Sequence, residues 1–146
     1  MKKGSSNLLL LDVNVLIGLA WPNHQFHAVT VRTLAASTDR WATCALTQLG
    51  FIRLSSNPAV NPAAKSPSEA ASLLEAMTGD ALHVYLEALP SPVHSRREFK
   101  KILGNKQVTD AYLLALARHY HATFVTFDQK LKDLAGPETR IQILGG

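Results

Sequence analysis

Four consecutive leucines, Leu8 to Leu11, run straight into Asp12, after which the chain turns apolar again as Val13-Asn14-Val15-Leu16-Ile17. A segment apolar at every position, rather than at alternate ones, is a strand covered on both faces. Burying even a neutral polar group there costs about 2–7 kcal/mol, and a carboxylate costs more. The strand therefore ends at Asp12. The same pattern returns near the other end, where "TFVTF" stops at Asp128. A strand of this kind needs helices on both sides, which narrows the chain to an α/β architecture.

The rest of the sequence supplies those helices. "VNVLIGLAW" predicts a short helix closed by Pro22-Asn23, and His24 to Ser37 a second one. "RWATC" predicts a strand and "ALTQLGFIRLSSN" a helix that stops at Asn57-Pro58. The loop "NPAVNPAAKSPSEA" leads to a helix capped by Ser68, carrying Leu73, Leu74 and Met77 and ending at Gly79. "ALHVYLEAL" reads as an edge strand and "SRREFKKILGNKQ" as a basic helix or loop. Then come the helix "VTDAYLLALARHYHA", the strand "TFVTF", the short helix "DQKLKDLA" and a last strand, "RIQIL". Alternating strands and helices imply right-handed crossovers, a parallel sheet and ligands bound beyond the carboxyl ends of its strands.

At 146 residues this is one domain spanning 1–146, with no linker to divide it. A hydrophobic fraction of 47% and a charged fraction of 18% exclude a disordered chain. Cys44 is the single cysteine, so no internal disulfide forms; in "WATCAL" it reads as a buried thiol of a reducing compartment, the cytoplasm. Lys2 and Lys3 precede a leucine run, but Asp12 and Asn14 interrupt it too early for a secretion signal or a membrane span. The net charge of +4 suits a polyanionic partner.

Taken singly, Asp12 and Asp128 each read as helix caps worth about 1 kcal/mol, and Asp110, in the first turn of its helix, as a dipole partner worth about 0.3–1 kcal/mol. Taken together, two strand-end acids and one helix-start acid from distant parts of the chain meet at one rim of the sheet. Carboxylates within about 4–6 Å raise one another's pKa unless a cation lies among them. An oxygen-only donor set suits Mg²⁺ or Mn²⁺, an ion that activates water and neutralises charge on a phosphodiester.

"LLLLDVNVLIGL", "TQLGFIRLSSN", "VTDAYLLALA" and "TFVTFD" together resemble the PIN domain, and specifically the VapC-type ribonuclease toxins of bacterial toxin–antitoxin pairs, from about Leu8 to Leu144. The resemblance implies a three-layer α/β/α sandwich with a central parallel sheet. It also implies a Mg²⁺- or Mn²⁺-dependent endoribonuclease, a homodimer, held inactive by a VapB-like antitoxin. On the family pattern Asp12, Asp110 and Asp128 hold the metal, while Asn14, Gln48 and Thr126 arrange the water and scissile phosphate. The departure is Gln48, which stands where many members carry glutamate; an amide lends an oxygen but no charge. It leaves a second reading open, a catalytically impaired PIN-like module that binds RNA or antitoxin.

Arg53, Arg96, Arg97 and Lys106, with Lys100 and Lys101, are candidate phosphate contacts or a solvated surface. His24 and His27, and His119 and His121, lack the partners of a zinc site. Trp21 and Trp41 read as packing residues. "LLLLDVNV" also resembles the opening of a haloacid-dehalogenase-type phosphatase, but Asn14 stands where that chemistry wants a second aspartate.

Overall fold

The computed structural model describes residues 7–102 and 104–145; Lys2 and Lys3 lie outside them. Five strands, β1 (Leu8–Leu11), β2 (Arg40–Cys44), β3 (His83–Leu86), β4 (Thr123–Thr126) and β5 (Arg140–Ile143), form one sheet in the order β3-β2-β1-β4-β5. Every pairing is parallel, with Leu9 opposite Trp41 on one side and Leu10 opposite Phe124 on the other. The four-leucine run is the central strand, as its unbroken apolarity requires.

Successive side chains of a strand point to opposite faces, so the leucines divide between two cores. Leu10, with Ala42, Cys44 and Phe124, packs under Leu113, Leu114, Leu116 and Ala117 of α6 (Val108–His119) and under Leu131 and Leu134 of α7 (Leu131–Leu134). Leu9, Leu11, Trp41 and Val125 pack on the opposite face against Val15 and Leu16 of α1 (Val13–Ala20), Phe51 of α3 (Ala45–Ser55) and Leu74 of α4 (Pro67–Thr78). Helices α2 (His27–Ala35) and α5 (Arg96–Phe99) complete the layers, giving the expected α/β/α sandwich. No helix among the described residues is long and apolar enough to cross a membrane.

Three local expectations shift. The fourth helix is capped by Ser66 and not Ser68: Ser66 Oγ accepts from the Glu69 N–H, Glu69 accepts from the Ser66 N–H, and Pro67 occupies the first helical position. The second helix begins at His27 rather than His24, because His24 Nδ1 accepts the Phe26 N–H and holds that stretch as a turn. The basic segment breaks into a 3₁₀ turn over Pro92–Ser95, the single turn of α5 and a second 3₁₀ turn over Asn105–Gln107.

Candidate active site

From β1 the chain builds outward through β2 to β3, then crosses back to lay β4 on the other side of β1. The connections leaving β1 and β4 run to opposite faces of the sheet, α1 to one and α7 to the other, so their carboxyl ends form the switch point at which such sheets have their ligand crevice. Asp12 and Thr126 face each other across it. Asp12 is the N-cap of α1: Oδ1 accepts the Val13 N–H at 2.7 Å, and the Asp12 N–H donates to the Val125 carbonyl at 2.9 Å. Its other oxygen, Oδ2, accepts the hydroxyl proton of fully buried Thr126 at 2.7 Å. The same Thr126 oxygen accepts the Asp128 N–H at 3.1 Å, so one hydroxyl ties the two strand-end acids together. Asp128 Oδ1 accepts the Lys130 N–H at 3.0 Å in a turn, and α7 starts only at Leu131. Asp128 thus shapes a turn rather than capping the helix directly.

Asp110 enters from the first turn of α6, half-buried. Its pKa is pushed up from 3.8 to about 6, first by burial, then by the charge of Asp12, then by that of Asp128. The Asp12 carboxyl is also raised, chiefly by burial and in small part by Asp128, against the lowering hydrogen bonds from Thr126 and Val13. Three acids from β1, α6 and β4 therefore feel one another's charge. The ion pairs found among the described residues, Arg97 with Glu138 and Arg118 with Glu98, involve none of the three acids. Among the described residues no three Asp, Glu, His or Cys side chains are gathered tightly enough to grip an ion. The oxygen-only donors and the raised Asp110 pKa fit a hard divalent cation, which removes the repulsion as it binds.

The other predicted residues sort unevenly. Asn14, in the first turn of α1, has a buried Oδ1 with no hydrogen-bond partner. Gly50 lets α3 close on that turn, since a Cβ there would stand 2.7 Å from Val13 Cγ2. Gln48 belongs to a different network: its Nε2 donates to Thr43 Oγ1 at 3.0 Å, and that hydroxyl shares a 2.8 Å hydrogen bond with His83 Nε2. It lines a shallow depression with Ser72 and Glu75 of α4. A carboxylate there would accept from Thr43 as readily as the amide donates to it, so Gln48→Glu is expected to change stability by less than about 1 kcal/mol, measured by urea denaturation.

Arg53, Arg96 and Lys106 are exposed, whereas Arg97 is paired with Glu138 and Arg118 holds buried Glu98 through two hydrogen bonds. Trp21 and Trp41 are packing residues whose indole N–H groups reach Ser55 and Asp80. Cys44 is buried. One cluster was not anticipated, in which Phe127 contacts both His24 and Phe26 at ring separations of 5.4 and 4.8 Å. Its signal lay in "TFVTFD", where an aromatic sits between the last strand residue and the acid.

Residues 9–137 match the PIN domain family. Two ribonucleases of Mycobacterium tuberculosis are each 41% identical to this chain: VapC39 over 86% of it and 92% of its own length, and VapC38 over 94% and 98%. Among solved structures, the sarcin–ricin loop cleaving toxin VapC20 of M. tuberculosis superposes with a TM-score of 0.66 at 13% identity, covering 90% of this chain and 98% of that one. VapBC2 of Rickettsia felis, bound to a promoter DNA fragment, gives 0.64 at 14% identity, covering 93% and 98%. With the parallel sheet, the family match over residues 9–137 and these relatives in agreement, the chain belongs to the PIN-domain family, within its VapC branch.

Proposed function

We propose that this protein is a Mg²⁺- or Mn²⁺-dependent endoribonuclease, the toxin of a toxin–antitoxin pair. The observation that carries the reading is the switch point at the carboxyl ends of β1 and β4, where Asp12, Asp110 and Asp128 lie close enough to feel one another's charge and none of the three is in an ion pair among the described residues. Their carboxylates hold the ion. When bound, the ion supplies a water of lowered pKa and positive charge against the phosphodiester. Thr126 fixes the orientation of the Asp12 carboxylate, and Asn14 orients the water or scissile phosphate by donating its side-chain amide N–H. Arg53, Arg96 and Lys106 provide exposed cationic contacts for the RNA backbone. Arg97 and Gln48, engaged with Glu138 and Thr43, serve in a supporting capacity.

Purified, antitoxin-free protein is expected to cut cellular RNA into discrete fragments with Mn²⁺ or Mg²⁺, and EDTA is expected to suppress the cuts. Intact RNA under every condition, from folded protein, would favour the impaired binding module instead. Thr126→Val removes the proton donated to Asp12 while keeping the side chain's shape. It is expected to weaken metal dependence of cleavage by about 10–100-fold, read from the Mn²⁺ concentration giving half-maximal rate. An unchanged metal titration would show that the hydroxyl does not support the ligand.

The partners follow the same reading: RNA as substrate, a VapB-like antitoxin as inhibitor, and a second copy of the chain, in the cytoplasm. Leu46, Leu49, Val93 and Val108 are 37%, 61%, 62% and 43% exposed. Leu46 and Val108 also line an apolar cleft of about 320 Å³ with Pro92 and Phe99. An isologous dimer covers such a face, with each contact between two of its residues made twice about the two-fold axis. Leu49→Glu is expected to shift a dimer to a monomer in sedimentation; an unaltered mass would move the interface elsewhere.

A further inference from the structure

Beside the acidic crevice lies a cleft of about 370 Å³, within the range of small-ligand sites. Its floor is apolar, formed by Ile17, Trp21 and Leu54, and its fringe carries Asn14, Asn23 and the His24 ring. No Asp, Glu, Lys or Arg lines it, so neither a phosphate nor a charged side chain finds a counter-charge inside. Most of its buried polar groups are already paired. Trp21 Nε1 donates to Ser55 Oγ at 3.0 Å, and Asn61 bonds the Ser55 carbonyl and the Ala63 N–H. Asn14 Oδ1 is left as a buried acceptor without a donor, a condition that costs about 1–3 kcal/mol.

The cleft and the carboxylates share backbone. Asn14 follows Asp12 by two residues, at most about 7 Å of chain. Phe127, stacked on His24 at 5.4 Å, lies between Thr126 and Asp128. A group seated in the cleft therefore has its point of attachment close to the site of cleavage.

We propose that this cleft is a base-recognition subsite for single-stranded RNA, taking one unstacked nucleobase between the apolar floor and His24, with a donor edge turned to Asn14 Oδ1. The proposal rests on the ribonuclease reading and adds to it a determinant of sequence preference. Sequence-specific RNA recognition works through splayed bases, stacked on rings and bonded along their edges. A flat, uncharged ring with N–H donors matches this lining. An amphipathic helix does not, since it needs a groove with anchors at successive turns.

The test reads side-chain signals of Asn14, Asn23 and the Trp21 indole N–H by NMR while each of the four nucleoside 5′-monophosphates, or ribose 5-phosphate, is titrated into full-length protein in EDTA. At least one nucleotide is expected to shift these signals saturably while ribose 5-phosphate leaves them in place. His24→Ala is expected to weaken that nucleotide at least about fivefold, the low end for loss of a stacking partner. Val60→Trp, at an exposed position on the rim, is expected to fill the cleft and abolish the shifts. Equal response to ribose 5-phosphate, no response to any nucleotide, or response only to a VapB-like antitoxin tail would each overturn the subsite. The titration requires no cleavage, so its failure is distinct from failure of the nuclease reading.

Discussion

Asp12→Asn is expected to remove RNA cleavage while leaving the fold in place. Asparagine keeps Oδ1, which can still accept the Val13 N–H and cap α1, and its amide can still share a hydrogen bond with the Thr126 hydroxyl. What disappears is one negative charge at the point where β1 delivers it to the crevice. Loss of an outer-shell partner of a metal ligand typically costs about 10–100-fold, and loss of the ligand's own charge is expected to exceed that. The measurement is cleavage of total RNA with Mn²⁺ by wild type and variant at matched concentration, with circular dichroism and urea denaturation as the fold control. A folded Asp12→Asn protein that cleaves within tenfold of wild type would remove Asp12 from the metal site.

The strand-end position of Asp12 was legible because it interrupts an apolar run at the end of a buried strand, and the same logic located Asp128. The topology was legible for a related reason: strands apolar on both faces force helices onto both sides. Gln48 shows the limit. Its place on a helix could be read from periodicity, but the direction of its amide depends on Thr43, His83 and the approach of α4. The basic segment shows another limit, since counting Arg97 as free charge ignored Glu138, which folding brings from the far end of the chain. The cleft over Ile17, Trp21 and Leu54 was hidden altogether. Its rim comes from the loop around Val60 and Asn61, whose Asn-Pro composition announces a loop but not where the loop lies.

Asp110 carries a cost that the active site imposes on the fold. Its pKa stands at about 6, against an ordinary 3.8, because burial and two like charges disfavour ionisation. A carboxyl whose folded pKa is raised binds its proton more tightly in the native state than in the unfolded one. The metal-free protein therefore loses stability as pH rises from about 4 to about 6 and stays at the lower level above that. Asp110→Asn cannot ionise, so it lacks this loss and is expected to be the more stable protein at pH 7 in EDTA. The gain is about 1–3 kcal/mol, or roughly 2–4 °C in Tm for each kcal/mol. Near pH 3 and below the two proteins should converge, since Asp110 is then largely neutral in both states. Mg²⁺ supplies the missing counter-charge, so it should raise the Tm of wild type more than that of the variant, and the variant should not cleave RNA. Thermal unfolding at pH 3 and pH 7, with EDTA or Mg²⁺, tests every arm. A variant less stable than wild type at pH 7 in EDTA would mean that the Asp110 carboxylate serves the fold rather than burdening it, and a wild-type Tm indifferent to Mg²⁺ would remove the ion from its neighbourhood.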